Sequence, residues 1–358
     1  MTPETELPRW LAPVDLNSNG PFHCIHQFEE RDVWAIWAAK AAGRPLLVRG
    51  EPGLGKTQLA QAAAKLLERD LITHTVDART ETRDLLYSLD SVRRLATAQL
   101  CAVRTAPADG VQAVGDARAD ADARLSLENF LIPGPVWWAL NPGSAAVAAT
   151  KSLAPLRLQP VPQQQSYRGR VLLIDEIDKA EADVPNSLLE VLGSGSFTVQ
   201  GITGEIRSDG QPPLIVITTN GERALPPAFL RRCVVLDLKV PGAFDANGRN
   251  PQLRDWLITR GGLHWGGKDW QTAVSAADQQ VIEQAAEAIL SERRQAELHH
   301  WTPKPGQAEL LDLLRAIREL YPAPTDDAKR KSCVGRVVRF FSRKSDNGDA
   351  AGDGETSA

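Results

Sequence analysis

Residues 45–57 read PLLVRGEPGLGKT, an apolar run followed by three glycines, a proline and one lysine that closes on a threonine. The next stretch, QLAQAAAKLL at 58–67, spaces Ala and Leu as a helix does. A strand, a glycine-rich loop and a helix in that order can wrap an anion. Glycine lets the backbone fold tightly, so that successive N–H groups point inward at oxyanions. The helix that follows aims the positive end of its dipole at the same spot. Gly50, Gly55, Lys56 and Thr57 satisfy the GxxxxGK[ST] spacing. In that pattern the lysine reaches the β and γ phosphates and the threonine hydroxyl ligates Mg²⁺. Glu51, Pro52, Gly53, Leu54 and Gln58 complete the expected phosphate-binding segment.

The rest of the chain supplies the context such a loop needs. Strand-like runs occur at 45–50, 71–77, 170–176, 214–220 and 234–240, and most are nearly continuous Val, Ile and Leu. Such runs suit parallel strands covered on both faces. Their alternation with helical stretches predicts a three-layer α/β core with a central parallel five-stranded sheet over 28–242. FEERDVWAIWAAKAAG (28–43) has helical spacing, with Gly43 placed to end the helix. Residues 1–27 read as an irregular arm. Beyond Pro241, VIEQAAEAILSERR and AELLDLLRAIREL are amphipathic, which predicts a smaller all-α lid domain over 243–344. Residues 345–358 lack apolar content and read as a disordered tail.

A weakly patterned insertion interrupts the core at about 105–166. It carries APADGVQAVGDARADADA and LQPVPQQQS around an apolar island, LENFLIPGPVWWAL. The expectation is a short ordered helix at GPVWWAL between mobile flanks. Adjacent tryptophans cannot both face one side of a helix squarely. One of Trp137 and Trp138 should therefore pack inward, while the other is either an exposed anchor for a partner or buried as well.

Composition narrows the class. The 358 residues carry 41 basic and 45 acidic side chains and are 42% hydrophobic, enough for substantial cores. A formal charge of −4 argues against wholesale binding to polyanions. Cys24, Cys101, Cys233 and Cys333 are scattered and form no CxxC pair, so reduced thiols are expected rather than disulfides or zinc. The N-terminus lacks an apolar signal core, and no run is long enough to span a bilayer. A soluble, cytoplasmic protein with no membrane association is predicted.

Two further segments complete the chemistry. In RVLLIDEIDKA (170–180) an apolar strand ends in Asp175 and Glu176. At a strand end beside the phosphate loop, Asp175 would hold the Mg²⁺ shell and Glu176 would act as general base toward water. Asp178 and Lys179 are expected to cap the next helix or lie at the surface. In LIVITTNGERALPPAFLRRC (214–233) a strand ends in Thr218, Thr219 and Asn220, where a polar side chain can orient water. Arg231 and Arg232 follow, in a place suited to supplying charge to a neighbour's nucleotide.

Phosphate loop, LLIDEIDKA, ITTN and LPPAFLRRC in this order resemble an AAA+ ATPase, and within AAA+ the MoxR-type group. That group has an insertion in the second helix, a hairpin before the sensor-1 strand and a displaced helical lid. GPVWWAL matches the insertion-bearing helix. SGSFTVQGITGEIRSDG (194–210), with Phe197, Val199, Ile202 and Ile206, matches the hairpin. The resemblance covers roughly residues 28–320. It implies ATP and Mg²⁺ as cofactors and hydrolysis of ATP to ADP and phosphate. It implies Asp175 and Glu176 as the Walker B pair, Asn220 as sensor 1 and Arg232 as the arginine finger. Arg231 is the substitute, because many relatives have Asp-Arg where this chain has Arg-Arg. The sensor-2 arginine is not obvious; in TPKPGQAELLDLL (302–314) Lys304 stands nearest that place, Gln307 occupies another candidate position, and Arg293 and Arg294 lie upstream. His299 and His300 read as surface residues.

The resemblance further implies a homo-oligomeric ring, with a hexamer expected, that remodels a protein partner. A protein with a von Willebrand A domain is the partner type it suggests. The rival reading is a nucleic-acid-associated AAA+ motor subunit of a restriction or defence system. KRKSCVGRVVRFFSRK (329–344), with seven basic residues, favours that rival. Val334, Val337, Val338 and Phe341 at helical spacing favour a lid helix instead.

Overall fold

The computed structural model describes residues 3–17, 22–105, 115–152, 169–200, 204–322 and 327–342. By its internal contacts the chain forms two parts. One comprises Met1–Leu11, Phe28–Gly50 and Lys56–Asp237, and the other Ala12–Gln27, Glu51–Gly55 and Leu238–Ala358.

The first part is built on strands β1 (Leu46–Arg49), β2 (Asp70–Thr75), β3 (Arg170–Asp175), β4 (Leu214–Thr219) and β5 (Val234–Asp237). They form one five-stranded sheet in the order β5-β1-β4-β3-β2. Every pairing is parallel, with Thr218 opposite Val48 and Thr75 opposite Asp175. Leu46, Leu47, Val48, Leu172, Leu173, Ile174, Val216 and Ile217 are fully buried, which is why these runs contain almost no polar residues. Arg49 clamps the ends of β1 and β5 by donating to both carboxylate oxygens of Asp237, at 2.7 and 3.0 Å. The predicted parallel α/β core is therefore the observed one.

Helix α1 (Pro3–Leu11), α2 (Glu30–Ala42) and α3 (Lys56–Leu67) flank this sheet. Glu29 and Asp32 form a reciprocal cap at the start of α2, and Gly43 ends it in the left-handed region (φ 61°) with its N–H on Ala39 and Lys40 carbonyls. The sequence reading of residues 1–27 as an irregular arm is corrected here. Residues 3–11 are helical and bury Trp10 against Trp37 and Phe28. Val14–Asn17 pairs antiparallel with Cys24–His26 in the second part.

The insertion holds more structure than its composition suggested. Helices cover Gly115–Arg124 and Pro142–Ser152 as well as the predicted α4 (Pro135–Leu140), and a helix at Ser91–Thr105 leads into the insertion. Alanine has the highest helix propensity, and Arg124 adds an ion pair one turn back to Asp120 at 2.9 Å. Residues 106–114 and 153–168 lie outside the described residues, as does the predicted tail. Both tryptophans of α4 are buried, at 4% and 5% exposure, so the exposed-anchor alternative does not hold. Trp137 donates its indole N–H to Ser144 Oγ and packs edge-on to Phe197. Phe197 sits on the predicted hairpin, where Ser196–Thr198 pairs with Glu205–Arg207. Ile202 lies outside the described residues. Helices α5 (Asp183–Ser194) and α6 (Pro227–Arg232) complete this part.

The second part is helical, with α7 (Pro251–Gly266), α8 (Ala276–Leu298), α9 (Gln307–Leu320) and α10 (Asp327–Ser342). Leu253, Leu257, Val281, Ile282, Ile289 and Leu310 are among the side chains of its core. Helix α7 was not apparent in the sequence because Gly261 and Gly262 sit inside it. A Cβ on Gly262 would come within 2.3 Å of the Trp270 ring, so close packing requires glycine there. The predicted basic segment is α10. It buries Cys333 and Val334, while Arg330 is buried in an ion pair with Asp278 at 2.6 Å. Arg343 and Lys344 lie outside the described residues. No helix among the described residues is long and apolar enough to cross a membrane.

Candidate functional site

Parallel strands present their carboxyl ends to one edge of the sheet, and that edge gathers the side chains singled out above. Thr57, in the first turn of α3, donates its hydroxyl to Asp175 Oδ2 at 2.9 Å. Thr218, on β4, donates to the other Asp175 oxygen and accepts the Glu176 backbone N–H at 2.9 Å. One hydroxyl thus locks both acidic residues to the neighbouring strand. The sequence reading gave Thr218 no role of its own. Its signal was a buried hydroxyl at the end of an otherwise apolar strand, fully enclosed in the structure.

Glu176 leaves β3 in the left-handed region, with φ 61° and ψ 47°. A non-glycine residue held there costs about 1–3 kcal/mol, and such residues cluster at functional sites. The Glu176 carboxylate meets two partners. Asn220 Nδ2 donates to Glu176 Oε1 at 3.3 Å, and Lys179 Nζ lies 2.5 Å from Oε2. Hydrogen bonding to Glu176 and the charge of its carboxylate raise the Lys179 pKa. Lys179 is therefore a partner of the site and not merely a surface residue. Asp178 is buried too, and accepts the Glu222 N–H at 2.9 Å, which ties the turn after β3 to the one after β4.

Lys56 is buried, and its ammonium donates to Gly50 O at 2.7 Å across the loop. Gly53 and Gly55 have φ of 80° and 82°, which turns the loop in a way that L side chains rarely allow. Thr57 and Asp175 offer adjacent hard oxygens, the donor set that suits Mg²⁺. Among the described residues no cluster of three His, Cys, Asp or Glu side chains could hold a metal by itself. Thr57 and Asp175 are the residues that would hold a Mg²⁺ ion.

Arg231 and Arg232 end α6 with exposed side chains, and neither pairs with a carboxylate among the described residues. The carbonyl of Arg231 accepts from Arg44. In the helical part Lys304 lies 3.8 Å from Glu297. There Arg293, 4% exposed, donates to both oxygens of Glu51 at 3.1 and 2.8 Å and to Pro305 O at 3.0 Å. Its sequence signal was a lone arginine on the α8 stripe of Ile282, Ala286, Ile289 and Ala296, where a buried cation demands a carboxylate.

The chain matches the AAA domain family, dynein-related subfamily, over residues 45–233. No curated protein matches it in sequence. A RuvB variant from Thermotoga maritima is 16% identical over 86% of this chain and 66% of that chain, with a TM-score of 0.40. A candidate ATPase from Cytophaga hutchinsonii is 13% identical over 86% of this chain and 79% of that one, with a TM-score of 0.33. The chain thus spans just under two thirds of the RuvB length, and the fold assignment rests on its own sheet order. The matched segment covers more than half of the 358 residues and contains the phosphate loop, both acidic residues and Asn220, and the chain belongs to the AAA domain family, dynein-related subfamily.

Proposed function

We propose that this protein is a MoxR-like, Mg²⁺-dependent ATPase that works as a homo-oligomeric ring, a hexamer, and couples hydrolysis to remodelling of a protein partner. The observation that carries the reading is the convergence of Thr57, Asp175, Glu176 and Asn220 on one sheet edge, linked by the bonds at 2.9 and 3.3 Å. Lys56 and the loop from Gly50 to Gln58 bind the phosphates, with the loop N–H groups as donors. Mg²⁺, held by Thr57 and Asp175, would neutralise charge on the β and γ oxygens. Glu176 accepts the proton of the attacking water, and Asn220 orients it. Arg232, or Arg231 beside it, delivers positive charge to the nucleotide of an adjacent subunit. Lys304 is the lid contact proposed for the γ phosphate.

A partner with a von Willebrand A domain and a cytoplasmic setting fit the same reading. Burial of Arg330 against Asp278 supports a structural lid helix over a phosphate-binding stripe, and so favours a protein substrate over nucleic acid. Glu176→Gln should retain ATP binding and lose turnover by ~10²–10⁴, the usual effect of removing a general base. Steady-state hydrolysis and equilibrium ATP binding test this together. Turnover within a few-fold of the parent refutes the assignment of Glu176, and absence of ATP binding by the parent refutes the ATPase reading itself. Co-purification with tagged Glu176→Gln would then identify the trapped partner.

A further inference from the structure

The carboxyl edge of the sheet holds the candidate site. At the opposite edge, where the strands begin, lies a cavity of about 620 Å³ between α1, the end of α2 and the end of α3. Strands of six residues separate the two edges by roughly 17 Å.

The charges lining this cavity do not cancel. Arg9, Lys40 and Arg69 line it, against the single carboxylate of Glu6. Glu6 already serves Arg9 at 3.5 Å, and Arg9 also approaches Glu68 at 3.7 Å. Arg69 is buried, and its partners are all neutral, namely Arg170 O, Pro212 O and Gln211 Oε1. Among the described residues those three bonds leave two of the five guanidinium donors without an acceptor. Among the described residues no carboxylate pairs with Lys40 or with Arg69. Burial, and then the charge of Arg69, pull the Lys40 ammonium below its ordinary pKa. Two like charges thus face one open-sided cavity, and among the described residues no carboxylate pairs with either of them. Apart from Gln211, the remaining wall is apolar, and includes half-buried Trp37 and Leu67.

We propose that this cavity is a second anion site, which binds the phosphate group of a small phosphate ester between Lys40 and Arg69 with its organic part against Trp37 and Leu67. An oxyanion there accepts the remaining Arg69 donors and offsets the repulsion between Lys40 and Arg69. The apolar wall gives an ester an advantage over free phosphate. The site is separate from the phosphate loop and does not depend on the ATPase reading.

The test uses full-length Lys56→Ala protein, so that the phosphate loop does not contribute. Phenyl phosphate and inorganic phosphate are titrated calorimetrically at low and high salt. One phenyl phosphate should bind per chain, more tightly than inorganic phosphate and more weakly at high salt. Lys40→Glu should weaken phenyl phosphate about tenfold or more, since the site then presents a like charge to the ligand. Lys40→Arg should retain binding within about threefold of the parent, because it preserves the cation. Lys40 is exposed on its helix, so both variants can be checked for intact fold by circular dichroism before titration. Unchanged affinity in Lys40→Glu overturns the proposal. So does equal affinity for the two phosphates, or no saturable binding up to about 10 mM, beyond the millimolar range where binding is already weak.

Discussion

The ion pair between Arg293 and Glu51 offers a test in which the structure sets the magnitude. Arg293 is 4% exposed and Glu51 42%, so the pair has one buried end and one solvated end. Removing Glu51 costs the chain two charged hydrogen bonds, and leaves a buried guanidinium with Pro305 O at 3.0 Å and a Glu297 oxygen at 3.5 Å. Breaking a fully buried pair by deleting one partner costs about 3–5 kcal/mol. The exposed half of Glu51 is already hydrated, which brings the expected loss in Glu51→Ala to about 2 kcal/mol. Arg293→Met fills the same apolar stripe and leaves only a solvated carboxylate behind, so it should cost about 1 kcal/mol. The double variant should resemble Arg293→Met alone, giving a coupling of about 2 kcal/mol. Urea unfolding followed by circular dichroism, with the m-value checked across the cycle, measures this directly. A coupling below about 0.5 kcal/mol, the additivity expected of independent sites, refutes the reasoning. ATP affinity supplies a second readout. Glu51 lies within the phosphate loop, so releasing it should weaken nucleotide binding in Arg293→Met even where stability is nearly preserved.

Lys56→Ala should abolish ATP binding, because the loop loses its only cation; near-normal affinity by equilibrium titration would contradict the assignment. Arg232→Ala should keep nucleotide affinity and lose turnover, and mixing it with Lys56→Ala should restore some activity by pairing an intact loop with a neighbour's arginine. Flat specific activity across the assembly range of protein concentration would remove that mechanism. Burial and the nearby Arg260 push His26 down to about 3, and burial pushes His264 down to about 4, so the folded chain refuses protons that the unfolded chain accepts below pH 6.5. Each should cost about 2 kcal/mol of stability between pH 6.5 and pH 5, a loss that His26→Gln should reduce in pH-dependent urea unfolding; an unchanged pH slope would sink it.

What the sequence made legible was local. The loop Gly50–Thr57, the run ending in Asp175 and Glu176 and the run ending in Asn220 each announce an element and its polar terminus within a dozen residues. The parallel sheet follows from them because continuous Val, Ile and Leu can be buried on both faces only between two helical layers. Where the reading departed from the structure, distant partners decided the outcome. Gly261 and Gly262 look like helix breakers until Trp270 is packed against them. Trp138 could have served as an exposed anchor, yet it is enclosed with Trp137 in the core of the α/β part. Lys179 looked like an ordinary helix-flanking cation. Its role depends on Glu176 adopting a left-handed backbone, which residue type alone would not suggest.

Arg231 and Arg232 remain candidates as a pair, because both are exposed at the end of α6 and lack carboxylate partners among the described residues, so single Arg→Ala variants at each position are needed to distinguish them. Arg293 is the reverse case. Its guanidinium is committed to Glu51 and Pro305, and its burial means that any substitution must also repack the stripe formed by Ile289 and Ala296. An arginine already held by a loop carboxylate can act on nucleotide only by restraining that loop. A free arginine can act on nucleotide directly. This is why stability and ATP affinity together are the readouts for Arg293, while turnover in mixed assemblies is the readout for Arg232.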